Sequence, residues 1–190
     1  TKSYKDKNLS GIGLSGNNLS GWDFSQQNLT SASFLNADLS DATVKSADFR
    51  DTTSRGFSAS QLYSTADYQA KDLSGIKLWY NDLSEWDFTG QNLIGATFVN
   101  ADLSRAALAD SDLTGADFSS AILTQTNLTR AVITGALFKN TTSNGFTKDQ
   151  LYATESYANK DLSGIRLSHN DLSDWDFSGQ NLTGSVFSES

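Results

Sequence analysis

The chain has 190 residues, a net charge of −8, and no proline, cysteine or methionine. Without cysteine there are no disulfides or thiolate metal sites, and no apolar run approaches the ~18 residues of a membrane span. The acidic balance argues against direct binding to nucleic acid or an anionic membrane, which needs a basic face, but permits a cationic partner or an imitation of DNA.

Residues 1–49 carry a large apolar side chain at every fifth position: Leu9, Leu14, Leu19, Phe24, Leu29, Phe34, Leu39, Val44 and Phe49. The rhythm resumes from Leu73 to Phe138 and again from Leu162 to Phe187. A period of five fits neither the 3.6 of a helix nor the 2 of a flat strand. The expected segments are repeat coils over 1–49, a helix-bearing insert over 50–72, coils over 73–138, a second insert over 139–161 and coils over 162–190, together one continuous repeat domain. The inserts are homologous, RGFSASQLYSTADYQAKDLSGI beside NGFTKDQLYATESYANKDLSGI. Ser58 with Gln61 and Thr147 with Gln150 have the spacing of capping boxes. This predicts one short helix over 58–67 and another over 147–156, each insert forming a spur or linker. The sequence opens inside a repeating unit (TKSYKDKNLSG beside TADYQAKDLSG and TESYANKDLSG) and ends inside another, so a piece of a longer repeat protein is expected.

Within each unit the residue two before the centre is usually small, as at Ala32, Ala96 and Ala116. The residue one before it is often Asp or Asn, the next after it Ser or Thr, and the one after that often Gly, Asn or Asp. Four units close a square coil. The centre and the small residue point inward, the other three positions face water, and coils stack at ~4.8 Å through backbone hydrogen bonds. Gly and Asn are expected to take the corner dihedrals. Stacking buries a core that no single unit could bury alone.

Stretches such as ADLSRAALADSDLTGADFSSAIL resemble the pentapeptide-repeat proteins, whose fold is a right-handed quadrilateral β-helix. The resemblance implies an all-β solenoid of that kind with two short helical inserts. Some members of the family imitate DNA and act on type II topoisomerases. Of that reading this chain shares the acidic coil alone, and residues 20 apart should stack Asp38 over Asn18, Asp48 over Asn28 and Asp112 over Asn92. That interleaving breaks any carboxylate ladder.

No cofactor, metal or catalytic site is expected. The single histidine, His169, takes an outward slot, and no dyad or triad has its members. Ile12, Trp22, Ile76, Trp86, Ile165 and Trp175 fill the slot that is otherwise small. Trp22, Trp86 and Trp175 are therefore expected to pack against insert residues, which include Leu62, Tyr63, Leu151 and Tyr152. Ile122, Val132 and Leu137 stand in outward slots that the second insert should cover. Trp79, Tyr80, Val99 and Ile94, also outward, form a candidate partner surface. The resulting expectation is a non-enzymatic structural or protein-interaction scaffold, with an acidic mimic that binds a topoisomerase such as gyrase as the alternative. The expected partner is a protein. A cysteine-free array rich in Ser, Thr and Asn also suits export or the cell surface, by association alone.

Overall fold

The structure, a computed structural model, describes residues 2–190; Thr1, which opens the first repeat segment, lies outside them. The chain winds as a right-handed quadrilateral β-helix. Each side of a coil is one bridge residue long, and the sides stack in parallel on the coil 20 residues later, as in Asn8 on Asn28 and Thr97 on Asp117. One ladder runs the length of the molecule, Asn8–Asn28–Asp48–Lys77–Thr97–Asp117–Leu137–Arg166–Val186. It defines side one, and the coil then passes through sides two, three and four.

Side chains two before each centre and at the centre fill the axis. Leu19, Phe24, Ala32, Phe34, Leu93, Ala96, Phe98 and Ala116 are all buried. The phenylalanines of side one form a column in which Phe98, Phe118 and Phe138 stack nearly parallel with centroids 5.0 Å apart at each step. The two small-and-large inward positions therefore exhaust the cross-section.

The residue two after each centre turns the corner with positive φ. Glycine does so at eleven of these corners, but eighteen are non-glycine, with φ between 53° and 64°, including Arg105, Gln125, Tyr80 and His169. The expectation that Gly and Asn supply the corners is therefore too narrow, since Asn36, Asn100 and Asn140 are the only asparagines among them. A left-handed conformation costs an ordinary L-residue about 1–2 kcal/mol. The geometry is imposed because many corner N–H groups donate to the coil above, as Arg105 does to Thr124 O at 2.9 Å and Asp110 to Thr129 O at 2.9 Å.

The residue before each centre has a local task. The Oδ1 of Asp23, Asp38, Asp82, Asp102 and Asp176 accepts the backbone N–H two residues on, at 2.8–3.0 Å. Asn18 and Asn127 do the same. This explains why Asp and Asn interchange there and recur more often than longer residues such as Lys77, Leu137 and Arg166. The bridges pair Asn18 with Asp38, Asn28 with Asp48 and Asn92 with Asp112, as the 20-residue stacking predicts, and Asp82 with Asp102.

The inserts are neither spurs nor single helices. The first comprises a 3-10 turn, Thr53–Arg55, then α2, Ala59–Tyr63, and α3, Ala66–Gln69; the second has its turn at Thr142–Asn144, then α4, Lys148–Tyr152, and α5, Glu155–Ala158. A short α1, Lys2–Lys5, precedes the first coil. Both capping boxes form, at Ser58–Gln61 and Thr147–Gln150, but Thr65 and Thr154 each start a second helix by accepting the N–H of Tyr68 and Tyr157. Each insert replaces sides two and three of one coil. Side one passes it by, bridging Asp48 to Lys77 and Leu137 to Arg166.

The inserts join the stack through core and polar contacts. Phe57 stacks on Phe49 and Phe146 on Phe138, both with centroids 4.5 Å apart. Gln61 Nε2 donates to Phe34 O and Ala37 O of the coil below, and Gln150 Nε2 to Leu123 O and Thr126 O. Asn81, in the coil above, accepts the N–H groups of Thr52 and Thr53 and donates to Phe49 O; Asn170 repeats this on Thr141, Thr142 and Phe138.

The second insert does not cover the three outward apolar residues. Ile122 bridges Asp102 and is exposed, while Val132 and Leu137 are half-buried on sides four and one. The insert stacks along the axis on the coil that bears Ile122 and Val132, with the N–H of Leu123 donating to Asn144 O and that of Ile133 to Ser156 Oγ, and does not wrap over the outward-facing side chains.

Two outcomes are expected from this architecture. At Gly145, φ is 92° and an added Cβ would lie 2.8 Å from the Thr124 Cα and 2.4 Å from its Oγ1. Gly145→Ala should therefore destabilise the protein by about 2 kcal/mol or more. Gln125→Gly, at an exposed corner with φ 59°, should be neutral to stabilising by up to about 1 kcal/mol, because relief of strain outweighs added chain entropy. Urea unfolding of both variants against wild type measures this.

The second outcome concerns acid. The serine two residues on, through its hydroxyl and then its N–H, holds the carboxyls of Asp38, Asp82, Asp161, Asp171 and Asp176 below their ordinary value of 3.8. For Asp72 the larger cause is Lys45. A depressed carboxyl contributes stability that is fully present above its unfolded value and is lost as pH falls through the folded one. Unfolding free energy should thus stay level down to about pH 5 and decline below about pH 4. Asp82→Asn, which keeps the Oδ1 acceptor, should flatten part of that decline in denaturant titrations followed at a series of pH values.

Candidate functional site

Repeat geometry brings the four residues of the candidate partner surface onto two adjacent coils. Trp79 and Tyr80 follow the bridge residue Lys77, and Val99 follows Thr97, which stacks on Lys77. Tyr80 N donates to Val99 O at 3.1 Å, and Gly75 N to Ile94 O at 2.9 Å. Ile94 and the Trp79–Tyr80–Val99 group therefore stand at the two edges of side one. They are not equally exposed: Tyr80 is 57 % and Ile94 44 % accessible, whereas Trp79 and Val99 are half-buried. Trp79 lies beneath Arg50, whose guanidinium sits 4.2 Å from the ring centroid. The indole Nε1 of Trp79 and the Nε of Arg50 are buried without partners.

The shift of 89 residues that takes Thr53 to Thr142 also takes Trp79, Tyr80, Ile94 and Val99 to Ser168, His169, Thr183 and Ser188, while the inward Leu78, Leu93 and Phe98 become Leu167, Leu182 and Phe187. The core is retained and the outer residues change from apolar to polar. His169 Nδ1 lies 2.7 Å from Glu189 Oε2, two corner residues stacked 20 apart. Arg105 pairs with Glu85 at 2.7 Å and Arg130 with Asp110 at 2.6 Å in the same corner-on-corner way. Such exposed pairs contribute little to stability.

Trp86 and Trp175 border the inserts. Trp86 is buried against Phe57 and Tyr63, at centroid distances of 5.8 and 6.4 Å. Trp175 lies 5.5 Å from Phe146. Leu62 and Leu151 are fully buried, while the hydroxyls of Tyr63 and Tyr152 accept the N–H of Asp87 and Asp176. Trp22, with α1 but no insert beside it, stacks on its neighbour Phe24 and is 48 % exposed.

Sequence reasoning missed a cleft that occurs twice, although the 89-residue shift would have revealed it. Thr53, Ser54, Phe57, Ser58, Ala59, Asp82 and Trp86 line an open groove of about 420 Å³. Their counterparts Thr142, Ser143, Phe146, Thr147, Lys148, Asp171 and Trp175 line another of about 590 Å³, with His169 and Asp174 at its margin. The groove hydroxyls are already engaged. Thr53 and Thr142 accept the N–H of Asp82 and Asp171, and Ser58 and Thr147 cap α2 and α4. Among the described residues no hydroxyl is hydrogen-bonded to His169, so no nucleophile–base pair is assembled. No group of three or more His, Asp or Glu that could hold a metal is found among the described residues. No helix there is long and apolar enough to cross a membrane.

A third cavity, of about 240 Å³, opens at the N-terminal end between Tyr4, Leu9, Ile12, Leu14, Trp22 and Phe24. Its lining is almost wholly apolar.

Comparison with known proteins adds the lineage. None of the curated proteins matches the chain. Among solved structures it is similar to HetL, a pentapeptide repeat protein involved in heterocyst differentiation regulation in the cyanobacterium Nostoc sp. strain PCC 7120, at 22% identity over 99% of this chain and 91% of that one, with a TM-score of 0.36. It is also similar to a pentapeptide repeat protein of the Arabidopsis thaliana thylakoid lumen, at 26% identity over 85% and 72% of the two chains and a TM-score of 0.32. A third is QnrB1, a plasmid-mediated fluoroquinolone resistance protein, at 22% identity over 93% and 89% and a TM-score of 0.36. At such scores these likenesses carry no functional argument. The family profile for pentapeptide repeats, however, matches residues 8–45, 18–53, 72–108, 111–142 and 161–190 in eight copies. The chain therefore belongs to the pentapeptide-repeat family.

Proposed function

We propose that the chain is a non-enzymatic protein-interaction scaffold, and that its partner surface is the pair of coils bearing Tyr80, Ile94, Val99 and Trp79. The observation that carries this reading is the contrast between repeats. At these four outer positions apolar residues stand where the next composite repeat has Ser168, His169, Thr183 and Ser188. Nothing in the core requires the difference, since the inward residues beneath are leucine or phenylalanine in both. Exposed Tyr80 and Ile94 supply contact area at low conformational cost, and aromatic anchors of this kind dominate protein interfaces.

The solenoid axis is filled by side chains, which supports a non-catalytic role. The acidic residues lend little support to the alternative of a gyrase-binding mimic. Their Oδ1 atoms are spent on their own turns, and asparagine interrupts the columns.

A photoreactive phenylalanine analogue at position 80 should yield a discrete protein adduct in the source cells, and the same analogue at position 169 should not. The double variant Tyr80→Ser, Ile94→Thr should lose a partner identified in this way at least tenfold in affinity, with a midpoint temperature within about 2 °C of wild type, as expected for surface substitutions. Equal adducts from both positions would remove the proposed surface. In a supercoiling assay, micromolar protein should leave gyrase unaffected; inhibition would favour the mimic over the scaffold.

A further inference from the structure

The N-terminal end face is, residue for residue, the surface that each insert covers elsewhere in the molecule. The shift of 64 residues that takes Tyr4 to Tyr68 also takes Leu9, Ile12, Leu14, Trp22 and Phe24 to Leu73, Ile76, Leu78, Trp86 and Phe88. Inside the stack Ile76 is fully buried and Trp86 is 8 % accessible, under Phe57 and Tyr63 of the first insert. At the end, Ile12 is half-buried, Trp22 is 48 % accessible and the cavity between them is open.

The polar groups correspond as well. Asn81 and Asn170, both buried, clamp the 3-10 turn of an insert with their side-chain amides. Their counterpart Asn17 is exposed and donates to Ser15 O within its own turn. The N–H of Asp82 donates to Thr53 Oγ1 and that of Asp87 to the hydroxyl of Tyr63, repeated at Asp171 and Asp176. The counterpart N–H groups of Asn18 and Asp23 have no acceptor among the described residues. One apolar cavity, one amide clamp and two backbone donors thus stand in the arrangement that twice receives the same chain motif.

We propose that this end face is a docking surface for a polypeptide segment of the insert type, with the pattern Gly-Phe-(Ser/Thr)-x-x-Gln-Leu-Tyr seen at Gly56–Tyr63 and Gly145–Tyr152. Its phenylalanine and leucine enter the cavity over Ile12 and Trp22. The 3-10 turn that precedes this pattern, as at Thr53–Arg55 and Thr142–Asn144, is held by Asn17, and the tyrosine hydroxyl of the pattern accepts the N–H of Asp23. A flat apolar ligand would satisfy the cavity but not the amides, and an ordinary five-residue coil would satisfy the ladder but leave Trp22 uncovered. The proposal is independent of the Tyr80–Ile94 surface, which lies on side one.

The test extends the full chain at its N-terminus with a copy of its own residues 113–153, so that Ala153 of the copy joins Thr1 as it natively joins Thr154. The extended protein should melt in one transition at a higher temperature than the parent. The Asp23 amide should exchange at least about a hundredfold more slowly, approaching Asp87. Trp22→Lys should leave the parent's midpoint within about 2 °C and abolish both gains in the extended chain. An unchanged midpoint, a second separate transition or unaltered exchange at Asp23 would overturn the proposal. So would sedimentation of the parent as a dimer in which Asp23 is already protected, since the occupant would then be a second copy.

Discussion

The structure depends on the left-handed corner that closes each side after five residues. An extended side this short has room for two inward residues, and only a corner of this kind sends the chain at a right angle with its N–H aimed at the next coil. All else follows: the small residue that must precede each leucine or phenylalanine, the short acidic or amide side chain that ties the turn, and the stacking of position n on n plus 20. The corner outranks residue preference. Arginine, tyrosine, glutamine and histidine all accept positive φ there, because interstrand hydrogen bonds and the buried column are shared along the stack while the strain is local.

The core and the repeat were legible in the sequence because burial is periodic. Phe98, Phe118 and Phe138 could be placed in one column from their numbers alone. The corners were only half legible. Glycine advertises positive φ, but Arg105 and Gln125 do not, and their conformation comes from the coil above. The inserts were misjudged for a different reason. The capping boxes at Ser58 and Thr147 were visible, whereas the role of Phe57 and Phe146 as continuations of the aromatic column was not, since it depends on the chain folding back onto the axis within eight residues of Phe49 and Phe138. Trp79 read as outward and is outward, yet it is sheltered by Arg50, a residue one long coil away. The spacing of 20 that governs the plain coils does not connect the two; the 29-residue coil does.

The composite repeats divide the labour between inside and outside. Inward residues barely vary between equivalent coils, so one backbone serves throughout. The outer residues vary freely: serine and histidine in one repeat, tryptophan and tyrosine in another. The inserts are the exception, since they present shaped surface as well as side chains. The two grooves beside them share seven lining positions, but Lys148 replaces Ala59 and His169 stands where Tyr80 does, so equal shapes carry different charge.

The side from which each composite repeat sets out has a consequence for the layout of longer arrays. Asn8, which opens the first, stands on side one, while Asp72 and Asp161, which open the second and third, stand on side four. The number of five-residue units between inserts acts as an indexing dial. Each insert itself takes two sides, so the units between inserts must complete whole coils together with those two, as the fourteen from Leu73 to Phe138 do; successive inserts then line up along one flank, and each unit added or removed swings the next insert by ninety degrees about the axis. Gain or loss of a single pentapeptide, the smallest change such a gene can readily suffer, would leave the core chemistry intact and re-aim every protruding feature downstream.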